Sequence, residues 1–205
     1  LFSFVSMGIS LWVSCHHYDA FAGASQFAGL DNYRRALTEA DSYFLLAMRH
    51  TALYVVLCVL GTLTTALPLA LLCLRVRRGQ ALFRTLYFLP SITPGVVLAL
   101  VFYHIFGNYG HLLDRAWTAL PALALLGVWA GAGYNMVIFL AGLTEIPQFL
   151  YDAARVDGAS RFQQFCHVTI PMLRNTLVFV TVMTIIGSFQ VFTSVYIMTS
   201  GGPER

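Results

Sequence analysis

Five stretches of the chain contain no Asp, Glu, Lys or Arg: 1–18, 51–74, 85–113, 116–144 and 175–203. A helix needs about 20 apolar residues to cross the hydrocarbon core of a bilayer. The pattern therefore predicts membrane helices separated by short polar connections. Residues 1 to about 15 read as the tail of a first membrane helix. Residues 16 to about 43 are polar, with Gly23, Gly29 and Asp31-Asn32 as turn signals and a short helix at NYRRAL. A second membrane helix is predicted over about 44–74, with Arg49 and His50 near its start and Pro68 late in it. A third covers about 85–106. Its Pro90 and Pro94 free backbone carbonyls, which predicts a kink or a break there. The stretch 85–113 exceeds one span, so it also holds a loop or a tilted helix. After an outer loop over 107–121, a fourth helix is predicted over about 122–144 and a fifth over about 172–198.

Between the last two lies a polar elbow, Glu145 to Pro171, reading EIPQFLYDAARVDGASRFQQFCHVTIP. Pro147 suits the first position of a helix, where its missing N–H costs nothing. That helix should run to about Asp157 and stop at Gly158, the residue type that adopts a left-handed cap without a Cβ clash. Ser160 then caps a second helix, with Gln163 completing a capping box. Pro171 is expected to end that helix and start the next span. Phe149, Ala153 and Val156 share one face of the first helix, and Phe162, Phe165 and Cys166 one face of the second. The small pair Ala153-Ala154 permits close approach by a partner, and a chain that leaves the bilayer to build two capped helices has made a docking surface.

Composition agrees with the pattern. Of 205 residues, 58% are hydrophobic and 10% charged, against about a quarter charged in water-soluble domains. Five charge-free stretches in one short chain leave little surface to meet water, and only helices or closed barrels satisfy backbone groups in lipid. Arg75, Arg77, Arg78 and Arg84 form a basic loop, which the positive-inside rule places in the cytoplasm. Parity of the spans then puts the elbow, with Arg155, Arg161 and Arg174, on the same side. Arg34, Arg35, Arg49, Arg115 and Arg205 fall on the other. The net charge of +3 is too small to suggest nucleic acid. Cys15, Cys58, Cys73 and Cys166 are scattered singly, so no disulfide and no metal site are expected. The chain does not begin with Met and shows no cleavable signal peptide. It reads as a fragment at both ends, with a further helix expected after Arg205.

The elbow resembles the EAA loop of bacterial binding-protein-dependent ABC importer permeases. Asp152-Ala153-Ala154, three residues, Gly158, nine residues and Val168-Thr169-Ile170-Pro171 follow that family's spacing. The departures are Asp152 for Glu, Val168 for Ile and Ile170 for Leu, each keeping charge or shape. The segments FAGLDNYRRAL, LFRTLYFLPSITPGVVLALVF and SFQVFTSVYIMTSGGP are similar to the carbohydrate-uptake branch, so the resemblance covers nearly the whole chain. It implies an all-α polytopic helical bundle of the type I permease kind. A single transmembrane domain would cover 1–205, with about five spans present and one missing at the C-terminus. It places the chain in a bacterial inner membrane, with loops 75–84 and 145–174 cytoplasmic. It implies a second permease subunit, a cytoplasmic ATPase dimer, an extracytoplasmic substrate-binding protein and membrane lipid as partners. No cofactor would be bound by this chain; ATP and Mg would be used by the ATPase. The coupling residues would be Asp152, Ala153, Ala154, Arg155, Gly158, Ser160 and Pro171. A valine at Gly158 would meet left-handed strain and a steric clash, and would separate ATP hydrolysis from uptake.

Polar groups inside lipid-spanning stretches are functional or paired. Tyr134 and Asn135 lie mid-span near Gly131 and Gly133, and Ser188, Gln190, Thr193, Ser194 and Tyr196 lie in the fifth helix. On a continuous helix Gln190, Thr193 and Ser194 would share a face, with Phe189 and Phe192 between them. Hydroxyls, amides and aromatic rings suit a sugar. The same residues would also serve to hold helices together. The resemblance favours Gly131, Tyr134, Ser188, Gln190, Val191 and Ser194 as a substrate path, although in some such importers only one of the two permeases contacts substrate. His104 reads as a packed or interface histidine rather than a ligand. A stand-alone secondary carrier or an intramembrane enzyme is the competing reading. Either would need ionisable residues at mid-membrane, and the spans contain no acidic residue. No nucleophile–base pair, paired carboxylate or phosphate-binding loop is present.

Overall fold

The computed structural model describes residues 2–18, 25–38, 43–76, 78–108, 112–113 and 115–201. They form two compact units, Leu1–His50 and Thr51–Arg205.

The first unit holds α1 (Phe2–Ser14), β1 (His16–Tyr18), β2 (Ser25–Phe27), α2 (Asp31–Thr38) and the opening turns of α3 (Tyr43–Arg75). The strands pair antiparallel, with His16 opposite Phe27. Asn32 knits the unit together by donating to the carbonyls of Ser14 (2.9 Å) and His16 (3.0 Å). The Tyr33 hydroxyl lies 2.6 Å from Ser14 Oγ. The expected short helix is α2. The hairpin was not expected, because three-residue strands are too short to show an alternating pattern.

The second unit contains the rest of α3, then α4 (Gln80–Ile92), α5 (Gly95–Asn108) and α6 (Ala116–Thr144). The elbow helices α7 (Gln148–Val156), α8 (Arg161–Gln164) and α9 (Ile170–Met172) follow, and then α10 (Arg174–Phe189) and α11 (Thr193–Thr199). α3 and α6 are each long and apolar enough to cross a membrane, and α3 runs on through Pro68. α4 with α5, and α8–α9 with α10, add two more spans if each bent pair is one. α1 is a shorter apolar helix.

The expected break in the third helix is a turn of 92° between α4 and α5. Thr93 is extended (φ −76°, ψ 134°), as a residue before proline prefers, and the helix restarts when Val97 N–H bonds the Pro94 carbonyl at 2.9 Å. Three boundaries differ from expectation. α4 begins at Gln80 rather than near residue 85, so Arg84 of the basic loop lies inside a helix. α6 begins at Ala116 rather than near residue 122, so Pro121 lies inside it. A membrane helix tolerates the one lost hydrogen bond. The fifth helix is not continuous: it stops at Phe189 and resumes at Thr193. No proline or glycine at 190–192 marks that break, which is why composition did not reveal it.

α6 is the mast of this unit and touches α4, α5, α10 and α11. One apolar core lies at its elbow end, where Met136, Phe139 and Leu143 meet Ala66 and Cys73 of α3, Leu173, and Val180 of α10. A second lies at the other end, where Ala122, Leu123 and Leu126 meet Tyr54, Cys58, Ala99 and Met198. Small residues let the backbones close up. A Cβ on Gly133 of α6 would stand 1.8 Å from the Tyr87 carbonyl oxygen of α4.

Candidate functional site

The elbow is built much as its residues dictate. Pro147 caps α7 from an extended conformation (φ −63°, ψ 131°), one position before the first-turn place expected for it. At the other end Gly158 is left-handed (φ +78°). Its N–H bonds the Arg155 carbonyl at 3.1 Å, and the Ala159 N–H bonds the Ala154 carbonyl at 2.9 Å. These two bonds are the Schellman closure of a helix. The expected clash at Gly158 is absent, since an added Cβ would meet nothing within 4 Å. Only the backbone angle demands glycine there.

Ser160 opens α8 with the capping box read from the sequence. Its Oγ accepts from Gln163 N–H at 3.3 Å, and Gln163 Oε1 accepts from Ser160 N–H at 2.8 Å. Beyond Gln164 the helix widens into a π-turn over Phe165–Thr169 and continues as α9 to Met172. Pro171 therefore does not end the helix, contrary to expectation. A proline ring collides with the carbonyl four residues back in an α-helix, and one turn of wider winding removes that conflict. The chain bends instead at Leu173, which is fully buried, and turns 68° into α10.

α7 has two faces. Leu150 and Tyr151 pack against the elbow-end core. Phe149 and Val156 face outward at 66% and 89% exposure, and Phe162 of α8 at 74%. Ala153 is exposed beside them and Ala154 is half-buried. Asp152 and Arg155 form an exposed ion pair with each other, one turn apart. Such a pair contributes little to stability, and its polar atoms remain at the rim. A cleft of about 250 Å³ lies between Ala154, Asp157 and Gly158 on one side and Gln163, Gln164 and His167 on the other. The Tyr151 hydroxyl reaches Thr169 Oγ1 at 3.0 Å, joining α7 to the π-turn. Sequence reasoning missed that link, because Tyr151 precedes the EAA motif and Thr169 fills its unspecified position.

The path residues fall on two elements. Gly131 and Tyr134 lie on α6, and Tyr134 is about half exposed. Asn135 is buried and donates to the Gly131 carbonyl at 3.0 Å within its own helix. Ser188 is buried in the last turn of α10. The face expected for Gln190, Thr193 and Ser194 does not form, because helical spacing lapses at the break between α10 and α11. Gln190 is exposed at that break, Val191 is packed against the second core, and Ser194 is half-buried in α11. Phe192 and Tyr196 stack (centroids 5.7 Å apart, 14° between planes), and both are largely exposed. No hydrogen bond joins Tyr134 to α10 or α11 among the described residues. His104 is exposed, with Nδ1 3.3 Å from the Leu100 carbonyl oxygen. No group of three metal-ligating side chains occurs among the described residues.

Residues 63–204 match the family described as binding-protein-dependent transport system inner membrane component. The chain is 38% identical to the probable ABC transporter permease protein YesP of Bacillus subtilis (strain 168), covering 98% of this chain and 69% of that protein. It is 31% identical to the sn-glycerol-3-phosphate transport system permease protein UgpA of Agrobacterium fabrum, over 100% of this chain and 74% of that one. Permeases named for arabinooligosaccharides, trehalose/maltose and lactose are 28% to 32% identical. In fold, the chain superposes on a chain of the crystal structure of a bacterial ABC transporter involved in the import of the acidic polysaccharide alginate. The TM-score is 0.71 at 20% identity, over 97% of this chain and 77% of that one.

Proposed function

The chain belongs to the family of binding-protein-dependent transport system inner membrane components, and from that premise we propose that it passes a sugar or related polyol, glycerol phosphate included, inward through the bilayer. It is an ABC importer permease of the sugar-transport type, a transport component and not an enzyme. Membership displaces the stand-alone carrier and the intramembrane enzyme as readings. Work comes from MgATP hydrolysed on a separate cytoplasmic ATPase dimer. A second permease completes the pathway, and an extracytoplasmic binding protein delivers the solute.

The observation that supports this most is the elbow. Phe149, Val156 and Phe162 stay exposed on two helices whose connecting turn is closed by a Schellman pair and a capping box. Apolar side chains on a rigid polar connection suit a protein groove better than water. In this reading Ala153 and Ala154 permit close approach, Asp152 and Arg155 make polar contacts at the rim, and Gly158, Ser160 and Pro171 hold the geometry. Closure of the ATPase dimer then swings the spans. Gly131, Tyr134, Ser188, Gln190, Val191 and Ser194 belong to the solute path. The stacked rings of Phe192 and Tyr196 offer the flat apolar face that sugars meet.

Uptake of radiolabelled maltose, trehalose, lactose, arabino-oligosaccharides and sn-glycerol 3-phosphate, with and without the gene, tests the proposal. Loss of uptake of one of these is expected, and Gln190→Ala should lower it in an assembled complex that still hydrolyses ATP. Unchanged uptake of all five solutes on deletion would contradict the proposal.

A further inference from the structure

The elbow helices α7 and α8 are held apart on the Gly158 side, where the cleft separates Ala154 and Asp157 from Gln164 and His167. At the other half, Leu150 and Tyr151 of α7 and Phe165 and Val168 of the π-turn pack against the same core. Among the described residues a single side chain–side chain hydrogen bond crosses from α7 to the helix beyond the turn: Tyr151 Oη to Thr169 Oγ1, at 3.0 Å.

The place of Thr169 gives this bond its meaning. Thr169 is 4% exposed and closes the π-turn. Its carbonyl accepts from Leu173 N–H at 3.0 Å, and the Leu173 carbonyl accepts from Leu177 N–H at 2.8 Å. Leu173 is the joint at which the elbow turns 68° into α10. A displacement of α7 thus has a short directional route: Tyr151, Thr169, the Leu173 joint, then α10. Apolar packing also links these elements, but it is non-directional. A hydrogen bond fixes distance and angle. π-turns within α-helices recur at functional sites, and this one receives the bond at its last residue.

We infer that the Tyr151–Thr169 hydrogen bond is the positioning contact that converts movement of α7 into movement of α10. This rests on the proposal that α7 docks on an ATPase. Tyr151 and Thr169 act through the elbow and touch neither nucleotide nor solute.

The test uses the whole transporter, purified through a tag on this chain, with MgATP plus vanadate as the probe. Backbone hydrogen–deuterium exchange is followed in two segments, 148–156 and 174–189. In the parent complex, trapping should change exchange in both. In Tyr151→Phe and Thr169→Val the change at 148–156 should persist while that at 174–189 falls at least threefold. Thr169→Ser, which keeps the hydroxyl, should behave as the parent. The double variant should be no worse than either single one, because both remove the same bond. A full response at 174–189 in both single variants would overturn the inference and leave the docking proposal standing. So would losses that multiply in the double variant. A parent complex with no response at 148–156 would overturn the docking proposal, and this inference with it.

Discussion

Gly158 isolates one physical term, because backbone angle is its sole constraint. Its φ is +78°, and an added Cβ meets nothing within 4 Å. A non-glycine residue there carries left-handed strain of about 1–2 kcal/mol. The alternative is to relax the angle and lose the bonds Ala159 N–H to Ala154 and Gly158 N–H to Arg155. At about 0.5–1.5 kcal/mol each, they are together worth about as much as the strain. A substituted elbow is therefore divided between a closed and a relaxed form, and each added 1 kcal/mol of strain shifts that ratio about fivefold. Asn tolerates the left-handed region, Ala less so, and the β-branched Val least. Solute taken up per ATP hydrolysed, measured in reconstituted vesicles, should fall in the order Gly, Asn, Ala, Val. Abundance in the membrane should be unchanged, because nothing is crowded. Equal ratios across the series would refute the reasoning, as would a Val variant that fails to accumulate.

Two other substitutions separate packing from function. Gly133→Ala sets a methyl 1.8 Å from the Tyr87 carbonyl oxygen and 2.8 Å from the Phe88 Cα, backbone atoms that cannot rotate away. It should destabilise by about 1–3 kcal/mol or more in detergent unfolding, whereas Gly131→Ala, whose nearest neighbour would be Asn135 Nδ2 at 3.5 Å, should be near neutral. Equal stability of the two would show that α4 and α6 do not meet at Gly133. Ser160→Ala removes one half of the capping box and should cost about 1 kcal/mol. Faster amide exchange at Gln163 reports it, and unaltered exchange there would mean the cap does not form.

The elbow was legible because its punctuation is local. A glycine at a left-handed angle and a Ser-x-x-Gln box each act within a few residues, and the structure realises both. Spans were legible because lipid excludes charge over about 20 residues at a time. What stayed hidden depends on partners distant in sequence. The break at Gln190 follows from no breaker residue. The role of Gly133 appears once Tyr87 lies against it. Pro171 misled for a related reason. A proline reads as a helix end until one sees that the preceding turn is wide enough to pass it.

Cross-linking from the elbow tests the central claim most directly. A photoreactive phenylalanine analogue placed at Phe149 or Ala153 in the intact cell membrane should trap the nucleotide-binding subunit, more at one phase of the ATP cycle than another. Adducts to lipid alone, or labelling of those positions by reagents confined to the outside, would contradict it.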